Sequence, residues 1–226
     1  MRTLLSTALV AAIAGVVVGD ESEVVTIDNW GVVVDPDNDC KVAAADGKVT
    51  ITVPGALHDL NKRNGMNAPR VLQEVVGDFQ LTVKVTGEFK PGPESTLSSG
   101  LRFNSGGLLL WHDEENYIRL ERNIMVSGTS TYCLPPLCEI FSEGKYRGIN
   151  KSPTAEPYFQ GASTWLRLKR EGDYFRPALS HDGEIWEELK RTEVILPDKL
   201  LIGVSAINTS STAHTVTFES LSVIKG

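Results

Sequence analysis

Helical periodicity is nearly absent from this chain, so extended structure must organise it. Basic residues are in deficit, 22 Lys and Arg against 29 Asp and Glu, for a net charge of −7. The longest basic cluster, Arg167-Leu168-Lys169-Arg170, alternates along a strand and makes no patch. An acidic chain without clustered cations is a poor partner for nucleic acid, whose phosphates need them. Long apolar runs are missing beyond residue 18, so nothing in the body of the chain reads as a membrane span. The single apolar run, residues 8–18, follows Met1-Arg2 and precedes Asp20, with Val17 and Gly19 at the −3 and −1 positions. It is well short of the roughly 20 residues that cross a bilayer. The expectation is a signal peptide over 1–19 and one exported domain over 20–226, either secreted or held in the periplasm or cell envelope.

Cysteine is scarce. Cys133 and Cys138 flank a Leu-Pro-Pro-Leu loop, and in an exported protein a disulfide closing that loop is the expectation. The pair lacks the further Cys or His partners of a zinc site. Cys40 is left over, either buried or reactive. Catalytic signatures are missing too. There is no Gly-x-Ser-x-Gly elbow, and none of the four histidines has a triad context. His58-Asp59, His112-Asp113 and His181-Asp182 read as turn chemistry.

What the chain does have is short alternating strands. Residues 79–86 put Phe79, Leu81, Val83 and Val85 on one face and Gln80, Thr82, Lys84 and Thr86 on the other. Further strands are expected at 24–27, 31–34, 41–44, 48–53, 71–76, 99–104, 107–111, 117–123, 200–207 and 215–224. The 165–189 segment reads as three strands, with Asp182-Gly183 predicting a type I′ turn between the last two. Residues 127–160 read as a long irregular excursion. This many short strands joined by polar turns predicts a single all-β sandwich or barrel.

Several of these strands resemble a known family. Gly77-Asp78-Phe79, Gly107-Leu108-Leu109-Leu110-Trp111, Asn116-Tyr117-Ile118-Arg119-Leu120, Trp165-Leu166-Arg167-Leu168, the 180–186 turn, Ile202-Gly203-Val204 and Val216-Thr217-Phe218-Glu219 are similar to concanavalin A-like lectin/glucanase domains. The likeness extends to that superfamily's secreted, uncharacterised branch, whose members are sometimes labelled enolase-regulation proteins, and to modules appended to glycoside hydrolases. It implies a jelly-roll sandwich of two antiparallel sheets. Laminarinase-like members carry acidic residues alternating on one strand, so that two carboxylates share a face. That pattern is absent: Asp113-Glu114-Glu115 is consecutive and sits in a turn.

Three functional readings remain open. The first is non-catalytic binding of an extracellular glycan. Sugars pack their apolar ring faces on aromatic side chains and give their hydroxyls to polar groups. Trp111, Tyr117, Arg119, Tyr146, Tyr158 and Trp186 are the candidates, although each tryptophan could equally be packed in the core. Asn61, Arg63, Asn64 and Asn67 could add polar contacts. The second is a glycan-active hydrolase whose carboxylates come from separate strands. The third is a protein-interaction module of the cell envelope. Asp35, Asp37 and Asp39 supply three carboxylates within five residues and suit calcium, a hard cation that takes oxygen ligands. The loop lacks the Gly and Glu of a complete calcium-loop pattern.

Overall fold

The computed structural model describes residues 24–126, 137–157, 161 and 163–226. The expected signal peptide, Tyr158 and Cys133 lie outside the described residues, as does the side chain of Cys138, and with them the expected disulfide.

The chain opens with β1 (Thr26–Ile27) and β2 (Gly31–Val34). Next, β3 (Lys41–Ala45) and β4 (Lys48–Val53) form a hairpin over Asp46-Gly47. Both turn residues have positive φ, 52° and 73°, as a two-residue I′ turn requires. A small hairpin comes after it, β5 (Leu60–Asn61) with β6 (Gly65–Met66). After β7 (Arg70–Val76) and β8 (Phe79–Thr86) comes a meander of β9 (Arg102–Asp113), β10 (Asn116–Val126), β11 (Leu137–Tyr146) and β12 (Ile149–Pro157). A second hairpin, β13 (Ser163–Glu171) and β14 (Tyr174–Ser180), leads through short β15 (Glu187–Glu188) and β16 (Thr192–Glu193). β17 (Lys199–Asn208) and β18 (His214–Lys225) close the fold.

Two antiparallel sheets result. One runs β1-β2-β7-β17-β9-β10-β11-β12, the other β15-β14-β13-β8-β18-β4-β3. Successive long strands change sheet, at β7 to β8 and at β17 to β18, which makes the sandwich a concanavalin A-like jelly roll. Among the described residues no helix is long and apolar enough to cross a membrane.

The alternation read from the sequence builds the main core. Phe79, Leu81, Val83 and Val85 are buried, and they pack with Ile51, Leu168 and Phe218 of their own sheet against Leu108, Leu110, Leu120 and Val204 of the other. Each such side chain contributes roughly 1.5–3 kcal/mol by leaving water. The opposite face of the first sheet has a second, smaller core. There Leu109, Trp111, Tyr117 and Ile207 are covered by Leu60 and Ala68 from the segment before β7.

Three expectations change. The strands expected at 99–104 and 107–111 are one, β9, because Ser105 and Gly106 stay extended and paired with Asn123 and Arg122. The excursion expected over 127–160 contains two paired strands, β11 and β12, joined through Arg147-Gly148 at φ 49° and 71°. β12 is the edge of its sheet, where prolines such as Pro153 and Pro157 are tolerated. The Asp182-Gly183 turn is not type I′, since of the two only Gly183 has positive φ, 86°. Instead the Asp182 carboxylate accepts the Glu184 and Ile185 amides at 2.8 and 2.9 Å, and Ser180 Oγ accepts the Gly183 amide at 2.9 Å. Side-chain bonds of this kind give the backbone an alternative turn, and the third strand shrinks to Glu187–Glu188.

Gly107 lets two strands approach closely, because it lies opposite Glu121 on β10. A Cβ there would sit 2.1 Å from the Leu120 carbonyl oxygen, a separation that only a glycine permits. Gly107→Ala is expected to lower stability by about 1–3 kcal/mol through overpacking. Thermal unfolding checks this, and an unchanged melting temperature would contradict it.

Candidate functional site

Period-2 geometry on β10 points Tyr117, Arg119, Glu121, Asn123 and Met125 away from the sandwich core, while Ile118, Leu120 and Ile124 point into it. Register places Phe103 and Ser105 of β9 beside Met125 and Asn123, and Phe141 and Glu143 of β11 beside Glu121 and Arg119. A pocket of about 250 Å³ opens over this stripe. Asp59, Asn61 and Asn64 close one side of it, and Leu97, Ser99 and Leu101 another.

The covering segment is firmly seated. His58 exchanges both backbone hydrogen bonds with Asn208 at the end of β17, and the Ala68 amide donates to the Asp59 carbonyl. The Tyr117 hydroxyl donates to the Leu60 carbonyl at 2.6 Å. These bonds bury Asp59 to 1% exposure and carry its carboxylate to Arg119.

Arg119 is the centre of a charge cluster. Its Nε and Nη2 donate to Glu143 Oε2 at 3.1 and 3.0 Å, its Nη1 lies 3.5 Å from Glu121 Oε2, and Asp59 Oδ1 is 4.0 Å away. The guanidinium also lies 4.7 Å from the Phe141 ring centroid. Burial acts to lower the Arg119 pKa, but Glu121, Glu143 and Asp59 outweigh it and raise it, so the cation is secure. Asp59 is pushed up chiefly by burial, against Arg119 and the Asn64 amide, which donates to it at 2.8 Å. Glu121 is fully buried, and desolvation, opposed by Arg119 and the Ser105 hydroxyl and reinforced by Asp59 and Glu143, lifts it to about 7. Its Oε1 has no hydrogen-bond partner within the described protein. A buried polar atom without a partner calls for an explanation, and a ligand donor is one.

The candidates read from the sequence fall in different places. Arg119 lies in the pocket, and so do Asn61 and Asn64. Tyr117 and Trp111 are on the same face of the sheet but outside its lining. They stack on each other at 5.6 Å, Tyr117 is fully buried, and the Arg70 guanidinium lies 4.6 Å from the Trp111 centroid. Neither offers a free ring face, because the 57–69 segment covers them; they seat that segment beside the pocket. Tyr146 packs on the main core with Arg147 over its ring. Trp186 lies in the connection from β14 to β15, beside the other sheet, where its Nε1 donates to the Gly183 carbonyl and Arg167 lies 4.3 Å from its centroid. The aromatics that do line the pocket are Phe103 and Phe141.

Sequence reasoning misses Asp59, Glu121 and Glu143. Asp59 reads as turn chemistry, and Glu143 falls in the expected excursion. Glu121 is legible, since it stands two residues from Arg119 on an alternating strand.

The acidic loop lies behind the covering segment. Asp39 Oδ1 is 2.9 Å from His58 Nε2, and Asp37 Oδ2 is 3.8 Å from the same nitrogen. Asp35 turns back instead, its Oδ2 accepting the Cys40 amide at 2.9 Å. Cys40 is a half-buried free thiol. Burial and the Asp35 and Asp39 carboxylates push its pKa up, which disfavours the thiolate that would make it a nucleophile.

No curated protein matches the sequence. Solved structures share the fold. A functionally unknown protein from Saccharomyces cerevisiae superposes with a TM-score of 0.68 at 17% identity, over 87% of this chain and 97% of that one. The carbohydrate binding module CBM66 from Bacillus subtilis gives 0.52 at 11%, over 88% and 99%. The GH43 protein BlXynB from Bacillus licheniformis gives 0.52 at 12%, over 78% of this chain but 33% of that one. At these identities the likeness is one of fold. Residues 57–225, which hold every charged group of the pocket, match a family model described as a protein of unknown function, DUF1349, and the chain belongs to that family.

Proposed function

We propose that the pocket over β9, β10 and β11 binds one sugar unit of an extracellular glycan, without cleaving it. The observation that carries this reading is Glu121, a buried carboxylate that lines a small pocket beside the Ser105 hydroxyl and whose Oε1 has no hydrogen-bond partner among the described residues. A hydroxyl group is the complementary donor. Asp59 adds a second acceptor, Asn61 and Asn64 add amides, and Arg119 adds donors. Phe103, Phe141, Leu97 and Met125 supply apolar surface for the C–H face of a ring. At about 250 Å³ the pocket is smaller than the roughly 300–1,000 Å³ of drug-sized ligand sites, which suits a single ring rather than a threaded polymer. The fold shared with a carbohydrate binding module supports the reading, and so does the export signal expected at the N-terminus.

One observation favours a second reading. A carboxyl near pKa 7 beside two others, contributed by separate elements, is the equipment of general acid–base catalysis on a glycan. The two are separated by exposing the purified protein to a glycan array and then incubating the bound glycans with it. Retention of intact glycans supports binding, and shortened products that vanish in Glu121→Gln establish the enzyme. A protein that retains no glycan with calcium or with chelator, and releases no product, would overturn both.

A further inference from the structure

We propose that Asp37, Asp39, Cys40 and His58 form a four-donor site for a transition-metal ion of the zinc type. The ion would tie the 35–40 loop to the segment that carries Asp59. Three of the donors, Asp39, Cys40 and His58, bring one ligand atom each within 4.8 Å of the others. Asp39 Oδ1 is 2.9 Å from His58 Nε2 and 3.5 Å from Cys40 Sγ, and Asp37 Oδ2 is 3.8 Å from His58 Nε2. A tetrahedral ion with bonds of ~2.0 Å to N and O and ~2.3 Å to S sets donor–donor edges of roughly 3.3–3.6 Å. The three separations straddle those edges, and Asp37, which stands outside the 4.8 Å cluster of the other three donors, would swing inward to complete the site.

The donor types decide which ion. Calcium takes six to eight oxygens, as the three aspartates alone would suggest. Here a thiol and an imidazole stand in the same cluster, and Asp35 is turned to the backbone. Sulfur, nitrogen and two carboxylates select zinc or a neighbouring transition ion.

The surroundings fit as well. His58 is 1% exposed, so its ring is fixed with Nε2 toward the loop, and its Nδ1 lies 3.4 Å from the Ala56 carbonyl. A metal-bound histidine characteristically gives its second nitrogen to such a carbonyl. The Asn67 amide holds Asp37 Oδ2 at 2.6 Å and the Leu57 carbonyl at 2.8 Å, while its Oδ1 accepts the Asp59 amide. Asn67 therefore links the cluster to the pocket. Asp37 and Asp39 are nearly half exposed, which leaves a path from solvent. On binding, the Cys40 thiol proton passes to solvent, and the proton that His58 Nε2 gives to Asp39 is lost from that nitrogen, with Nδ1 carrying the ring proton toward the Ala56 carbonyl, so that Nε2 and the Asp39 carboxylate are free to take the metal.

The test is titration of tag-free, metal-free protein with Co²⁺, followed by absorption, and with Zn²⁺, followed by calorimetry. Expected are one ion per chain, the visible bands of tetrahedral Co²⁺ and a near-ultraviolet thiolate charge-transfer band. Cys40→Ser should remove that band, and His58→Gln and Asp39→Asn should each weaken Zn²⁺ by at least about tenfold. A Cys133→Ser/Cys138→Ser double variant should bind as the wild type does. Asp39 is exposed, so Asp39→Asn keeps the test valid if His58→Gln fails to fold. The proposal is overturned by any of these: no saturable binding, a spectrum without the thiolate band, wild-type affinity in Cys40→Ser and Asp39→Asn, or displacement of Zn²⁺ by millimolar calcium.

Discussion

Replacing Arg119 with methionine is expected to destabilise the protein by about 3–5 kcal/mol at pH 8, because it leaves buried carboxylates without their cation. Asp59, Glu121 and Glu143 are all at most 4% exposed, and Arg119 is the one guanidinium that approaches all three among the described residues. In a domain of this size each kcal/mol moves the melting temperature by roughly 2–4 °C, so the fall should exceed about 6 °C. The pH dependence identifies the cause. Asp59 and Glu121 already have raised folded-state pKa values, and removing Arg119 raises them further. A raised carboxyl pKa adds stability that is fully present below the unfolded value and is lost as pH rises through the folded one. The deficit of Arg119→Met should therefore be large at pH 8 and shrink toward pH 4. Equal deficits at both would mean that lost packing against Phe141, not charge, is responsible.

Glu121→Gln is expected to do two opposite things. The Glu121 pKa stands near 7 against an ordinary 4.5, with burial the main cause. Below about pH 4.5 the acid is neutral in both folded and unfolded chains, and the substitution should change little. From pH 4.5 upward the wild type progressively loses stability, and well above 7 the loss is complete, on the order of 3–4 kcal/mol at about 1.4 kcal/mol per pKa unit. The amide carries no charge, so at pH 8 the variant should melt higher than the wild type, and at pH 4 no higher. Glycan affinity should move the other way. The amide nitrogen can only donate where the carboxylate accepted, and losing a charge-assisted hydrogen bond costs about 1.5–3 kcal/mol, roughly ten- to a hundredfold in Kd. A residue whose neutral isostere is more stable but binds less is kept for function. A variant less stable than the wild type at pH 8 would place Glu121 among the structural ion pairs instead.

The sandwich was legible because one face of each long strand is written in apolar residues. The 79–86 alternation became β8 without revision, and the 48–53 and 31–34 readings hold to the residue. The margin of the sheet was not legible. The sequences of β11 and β12 carry prolines, glycine and charge, which also mark loops. That obscured Glu143. The site was half legible for a related reason. Arg119 sits on a strand whose period is clear, but Asp59 reaches it through a hairpin of two-residue strands and a backbone bridge to Asn208, contacts made far along the chain. Aromatic residues misled in a simple way. Trp111 and Tyr117 face the pocket side of the sheet as their alternation implies, but the 57–69 segment lies over them.

The central claim is that the Glu121 pocket, and not the aromatic surface at Trp186, holds the ligand. Its most direct test is a glycan-array comparison at pH 8 of wild type, Glu121→Gln and Trp186→Ala. The account predicts selective binding by the wild type, at least tenfold weaker binding by Glu121→Gln, and wild-type binding by Trp186→Ala. Binding that survives Glu121→Gln unchanged and disappears in Trp186→Ala would contradict it.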